Sequence, residues 1–127
     1  MDEGVVLCWR GLPPSAERAL SRALTGAACW QMAGDGVCAL APLAHEHLSA
    51  CVERALLVMR AACQQGAAVG LAVGPLPSPE QATPTLARAR RAAALAAPGE
   101  IILAWGSQAY VVGEFESVMT GFVKLRA

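Results

Sequence analysis

Residues 43 to 65 carry neither Gly nor Pro, and within them Leu48, Val52, Leu56 and Met59 recur at i, i+4, i+8 and i+11. That spacing draws one apolar stripe along the whole length of a helix, and such a stripe needs an apolar surface to cover it. Gly66 follows as the C-terminal stop, because glycine enters the left-handed conformation that ends helices without a Cβ penalty. Directly after it "AAVGLAVG" (67 to 74) reads as a buried strand, and near the start "GVVLCW" (4 to 9) reads as another. A long amphipathic helix set between short apolar strands points to helices packed on a sheet.

The remaining punctuation fills in the order. "RGLPPS" breaks the first strand, and "AERALSRAL" (16 to 24) then takes up helical spacing. "AACWQMAGDGVCALAP" (27 to 42) is two apolar runs around Gly34-Asp35-Gly36, which predicts a β-hairpin centred on Asp35, since these residues tolerate positive φ. The four prolines of "PLPSPEQATP" make a loop. A second helix, about 84 to 97, turns at Pro98-Gly99 into the strand "EIILAW", and the tail holds a short helix and a final strand near "FVKLR". The order β-α-β-β-α-β-α-β with this tail describes an α+β sandwich of the ferredoxin-like type, an antiparallel-rich sheet with helices packed on it.

Composition narrows the partners. The 127 residues suit one domain, 1–127. Charged residues are 16% of the chain and the formal net charge is zero, so no broad basic face exists for nucleic-acid phosphates or an anionic membrane, and neither is expected as a partner. No apolar run reaches the roughly 18 residues of a membrane span, and the acidic start does not read as a signal peptide. Five cysteines without a C-x-x-C pair suit reduced thiols in a cytoplasmic protein, and a disulfide framework is not expected. His47 and Cys51 have a workable zinc spacing, with His45 nearby, but no further ligands accompany them. Neither Ser107 nor any cysteine has a positioned base in sequence, so nucleophilic catalysis has no support.

Four segments in one order carry a resemblance: the opening strand "VVLCWRGL", the hairpin "AGDGVCAL", the strand "VGLAVG" and the helix-to-strand corner "ARRAAALAAPGEIIL". Together they resemble the class III adenylate/guanylate cyclase homology domain over most of the chain, and the A-x-P-G-E-I segment at its set distance after an arginine is the most specific part. The resemblance implies a nucleotide-cyclase-like sandwich, here truncated at its closing edge. It puts Asp35 on a metal-binding aspartate, for Mg or Mn if ATP or GTP binds, and Arg91 on the arginine that stabilises phosphate charge in the transition state. It puts Gln31 on the purine-selecting lysine, Glu80 near that lysine's acidic partner, and Arg126 on a late phosphate-contacting lysine. Read without the resemblance, Asp35 is also a plain turn residue, and Arg91 shares a solvated helix face with Arg88 and Arg90.

Departures from the family pattern decide what to expect. The first metal aspartate should precede the Arg10-Gly11 turn, where this chain has Cys8 or Trp9, and the transition-state asparagine should stand where Ala87 is. Magnesium prefers hard oxygen ligands, and losing a single electrostatic stabiliser typically costs about 10² to 10³ in rate. The expectation is a catalytically degenerate cyclase-like domain with no firm cofactor. It would act in intracellular signalling of the bacterial type as a regulatory, protein-interaction module, with a protein partner or as a homodimer. The alternatives are a nucleotide-binding sensor, or a residual or heterodimeric cyclase making a cyclic nucleotide from ATP or GTP.

Overall fold

The computed structural model describes residues 3–24, 26–30 and 34–126. In chain order the elements are β1 (Glu3–Arg10), α1 (Pro14–Ala23), β2 (Ala28–Trp30), β3 (Gly36–Leu40), α2 (Leu48–Gln64), β4 (Ala68–Pro75), α3 (Pro84–Leu95), β5 (Ile101–Ala104), a 3-10 turn (Ser107–Tyr110), β6 (Phe115–Met119) and β7 (Phe122–Leu125). The strands form one open, α+β sheet in the order β2-β3-β1-β4-β5-β7-β6. Strands β4 and β5 run parallel, joined through α3 as a crossover helix, and the other pairings are antiparallel.

The period-2 geometry of β1 divides the core into two layers. Val5, Leu7 and Trp9 face α1 and α2, whereas Val6 and Cys8 face α3. On the first face α2 lays down Val52, Leu56 and Met59, all fully buried, with Cys51 and Ala55 beside them. On the second face α3 contributes mainly alanines, Ala89, Ala92 and Ala93, whose small side chains let its backbone lie directly on the sheet. Gly70 of β4 marks that close approach: a Cβ there would run into the Ala89 carbonyl and the Ala93 amide.

Local chemistry accounts for the element ends. Helix α2 stops in a Schellman arrangement, with the Gly66 amide on the Cys63 carbonyl (2.9 Å), the Ala67 amide on the Ala62 carbonyl (3.2 Å) and Gly66 at φ 91°. It begins at Leu48, five residues later than the uninterrupted run predicts. Glu46 is the reason: its side chain accepts from the Leu43 amide and from the Arg54 guanidinium, both at 2.9 Å, which stabilises a turn in which His45 takes φ 66°. The hairpin also differs in detail. Strand β2 pairs Ala28, Cys29 and Trp30 with Ala39, Cys38 and Val37, which puts Asp35 on the return side of the connection and not at its centre. In the tail, the expected short helix is the 3-10 turn, and β6 adds an edge strand ahead of the expected last one. Among the described residues no helix is long and apolar enough to cross a membrane.

Candidate functional site

Charged side chains from three elements, Arg10, Asp35 and Arg90, come together at one end of the sheet. Arg10 at the end of β1 lies opposite Ala68 at the start of β4, and β3 and β5 start at this same end. A small cavity of about 150 Å³ opens here, lined by Cys8, Trp9, Arg10, Asp35, Gly36, Val37, Arg90 and Ala93. Strand β1, the β2–β3 hairpin and the last turns of α3 are therefore its three walls.

Arg10 and Asp35 in these walls already have structural duties. The Arg10 guanidinium donates from Nε to the Ala93 carbonyl (2.9 Å), which also accepts from the Ala96 amide (3.3 Å), and from Nη2 to the Ala96 carbonyl (2.6 Å), so a cation ties down the end of α3. Asp35 Oδ1 accepts from the Gly11 amide at 3.0 Å, and the Leu12 amide donates to the Gly34 carbonyl at 3.0 Å, so the hairpin connection is clipped onto the turn between β1 and α1. Behind this clip Glu17 is 3% exposed, accepting from the Trp9 indole (2.7 Å) and from the Gly34 amide (3.3 Å). Burial pushes the Cys8 thiol up to about 12, against a weaker opposing pull from Arg90, so at neutral pH it stays protonated.

Removing the Arg10 side chain should unpin the end of α3. Arg10→Ala is expected to lower the unfolding free energy by about 1 to 2 kcal/mol, the scale of hydrogen bonds donated by a charged group less solvent compensation. A urea midpoint unmoved by the substitution would show that the two carbonyls find water equally well.

The residues singled out in sequence are dispersed. Asp35 lines the cavity. Arg91 is exposed and lies outside it, while its neighbour Arg90 lines the wall, as the turn of about 100° per residue along a helix dictates. Glu80 is exposed in the loop after β4, and β4 ends opposite Glu3, at the other end of the sheet. Arg126 follows β7, three strand positions from β1 and so roughly 14 Å across the sheet. It borders a separate depression with Glu100, Glu116 and Lys124. There the Lys124 ammonium sits 3.2 Å from Glu100 and 3.6 Å from Glu116. Glu100 also accepts from the Ala97 amide (2.9 Å), and that bond, with Lys124 adding to it, holds its carboxyl below the usual range. Gln31 lies outside the described residues. Ser107 is buried and its hydroxyl accepts from the Val73 amide at 3.0 Å, a structural role.

Sequence reasoning did not single out Arg10, Glu17 or Arg90. Glu17 had a signal: it stands three residues before Leu20 and seven before Leu24, on the apolar stripe of α1, where a carboxylate needs partners.

No protein-family model matches the sequence, and no curated protein matches it. Solved structures do. The catalytic core of a rhodopsin-guanylyl cyclase with converted specificity, in complex with ATPαS, aligns at a TM-score of 0.74 and 12% identity, covering 99% of this chain and 96% of that one. The guanylate cyclase domain from Catenaria anguillulae in complex with GTP aligns at 0.70 and 12%, covering 97% and 93%. A non-canonical dimeric guanylyl cyclase domain from Blastocladiella emersonii aligns at 0.68 and 11%, covering 98% and 94%. The chain thus has the fold of class III nucleotide cyclase catalytic domains.

Proposed function

We propose that this is a catalytically degenerate cyclase-fold domain, a regulatory module of intracellular signalling that works by protein interaction, in the first instance as a homodimer. The cavity between β1, the hairpin and α3 carries the reading: among the described residues that line it Asp35 alone is a carboxylate, and one of its oxygens is already engaged with Gly11. Two-metal phosphoryl chemistry needs ions clamped between several carboxylates and phosphate oxygens. A single carboxylate beside a protonated, buried thiol does not fit a pair of magnesium ions, because a neutral thiol is a poor ligand for a hard cation. Of the two arginines that line the cavity, Arg10 is committed to the end of α3 through the Ala93 and Ala96 carbonyls.

Support for self-association comes from the opposite end of the sheet. Trp105 is 64% exposed just after β5, and Val118 and Met119 are exposed at the end of the edge strand β6. The Trp105 amide donates to the Gly121 carbonyl in the β6–β7 turn at 2.7 Å, so these apolar side chains share one rim. An exposed tryptophan beside an open sheet edge is a surface that a second copy can cover. The dimeric state of the Blastocladiella domain is a parallel for such pairing.

Two measurements test the reading together. Sedimentation velocity at micromolar protein is expected to show a dimer that Trp105→Glu converts to monomer. Titration calorimetry with ATP and with GTP, each with Mg²⁺ or Mn²⁺, is expected to give no heat at millimolar nucleotide. Micromolar binding with cyclic product would establish the enzyme, and binding without product the nucleotide sensor. A monomeric wild type that binds no nucleotide would sink the dimer.

A further inference from the structure

We propose that Cys29 and Cys38 form a reversible disulfide across the β2–β3 ladder, with Cys29 the thiol that reacts first, making this hairpin an oxidation site for a hydroperoxide. The inference stands apart from the function proposed above and would survive its failure.

Geometry carries it. Cys29 and Cys38 are direct partners in the antiparallel register, and both sulfurs lie on the face covered by α1 and α2. Directly opposed residues in such a ladder have Cα atoms about 4.5 to 5.5 Å apart, inside the range that disulfides accept. The two sulfurs are already 2.8 Å apart, sharing a hydrogen bond, and within about 0.8 Å of bonding distance. Access is unequal in the useful sense: Cys38 is fully buried on β3, whereas Cys29 is only half-buried on the sheet-edge strand β2, where a small oxidant can reach it.

Electrostatics sets the order of events. The hydrogen bond shared with Cys38 lowers Cys29 to about 7, with Ser21 helping and burial and Glu17 opposing, while the same bond and burial push Cys38 up. Cys29 is therefore about half thiolate at pH 7, with the neighbouring Cys38 thiol held as its proton donor. The Cys29 thiolate attacks one oxygen of the peroxide, breaking the O–O bond and giving a sulfenic acid and hydroxide. The Cys38 sulfur then attacks the Cys29 sulfur, its proton leaving with the displaced hydroxide as water. The balance is two thiols and one hydrogen peroxide giving one disulfide and two waters. Thiol reductants reverse it.

Cys63 supplies the internal comparison, being half-buried like Cys29 but pushed up to about 11 by burial. Near neutral pH, iodoacetamide is expected to alkylate Cys29 at least about tenfold faster than Cys63, a thiolate advantage reduced but not cancelled by the weaker nucleophilicity of the more acidic thiol. Treating reduced protein with a slight excess of hydrogen peroxide should lower the titratable thiols from five to three and the mass by two hydrogens, and dithiothreitol should restore both. Cleavage after Arg22, before Asp35 and after Glu46 leaves Cys29, Cys38 and Cys51 on separate peptides, so the link is read directly. In Cys38→Ala the disulfide should vanish and a dimedone-reactive sulfenic acid should accumulate at Cys29, whereas Cys29→Ser should leave the remaining thiols slow to react. Equal alkylation of Cys29 and Cys63, a link between other cysteines or between two chains, or a Cys38→Ala protein that dimedone does not label would each overturn the proposal.

Discussion

Replacing Gly70 by alanine is expected to lower the unfolding free energy by about 3 kcal/mol, at the upper end of what overpacking one methyl group costs. The reason lies in what the new Cβ meets. Gly70 sits at the middle of the sheet, paired with Cys8 on one side and Ile102 on the other. Its missing side chain faces the Ala89 carbonyl, the Ala93 amide and the Ala92 carbonyl carbon of α3. Backbone cannot rotate aside as a side chain can, so the helix must lift off the sheet. Lifting it separates Ala89, Ala92 and Ala93 from Val6, Cys8, Ala72 and Ile102, the contacts that make up the second core layer. Gly121→Ala is the control. Gly121 has φ 91°, and a Cβ added there would meet nothing within 4 Å, so its cost is conformational, about 1 to 2 kcal/mol. Urea unfolding with an unchanged m-value measures both. A Gly70→Ala midpoint no lower than that of Gly121→Ala would mean that α3 tolerates displacement. Because the shift moves Ala93 and the end of α3, Gly70→Ala should also be non-additive with Arg10→Ala, which loosens the same helix end.

That dependence on α3 also explains what the sequence could and could not reveal. The stripe of α2 was legible because Leu48, Val52, Leu56 and Met59 contrast with polar neighbours, and three of the four are fully buried. The corner after α3 was legible because Pro98 and Gly99 leave few backbone choices, and the fold that the resemblance implied is the fold observed. Which arginine of α3 would line the cavity was not legible. Arg88, Arg90 and Arg91 are all exposed, and an alanine stripe gives too little contrast to fix the helix's rotation. The cysteine pair was hidden for a related reason. A hairpin centred on Asp35 would set Cys29 opposite Ala41, whereas the longer connection sets it opposite Cys38. A turn signal identifies a hairpin, but register belongs to the tertiary packing of β3 between β1 and β2.

Glu17→Ala is expected to cost about 3 kcal/mol, because one truncation leaves two donors without their acceptor. The Trp9 indole is the more serious loss, since Trp9 is 1% exposed and its bond is buried, while the bond to the Gly34 amide is only partly buried. Trp9→Phe removes the donor instead and should cost less than Glu17→Ala, while still leaving one Glu17 oxygen short of its partner. The double variant Glu17→Ala/Trp9→Phe should then be more stable than the sum of the two losses predicts, by about 1 kcal/mol or more, because neither orphan remains. The same bonds hold the hairpin in place. Glu17 grips Gly34, Gly34 takes the Leu12 amide, and Asp35 takes the Gly11 amide, so releasing Glu17 weakens the clip that presents Asp35 to the cavity. Hydrogen exchange should therefore quicken at Gly11, Leu12 and Gly34 in Glu17→Ala beyond the change expected from the global loss of stability, and stay proportionate to it in α2. A uniform rise across the chain, or a loss of stability under about 0.5 kcal/mol, would reduce Glu17 to a solvated helix residue. A local rise would identify a buried carboxylate, on the face of the sheet opposite α3, as the group that positions Asp35 in the cavity.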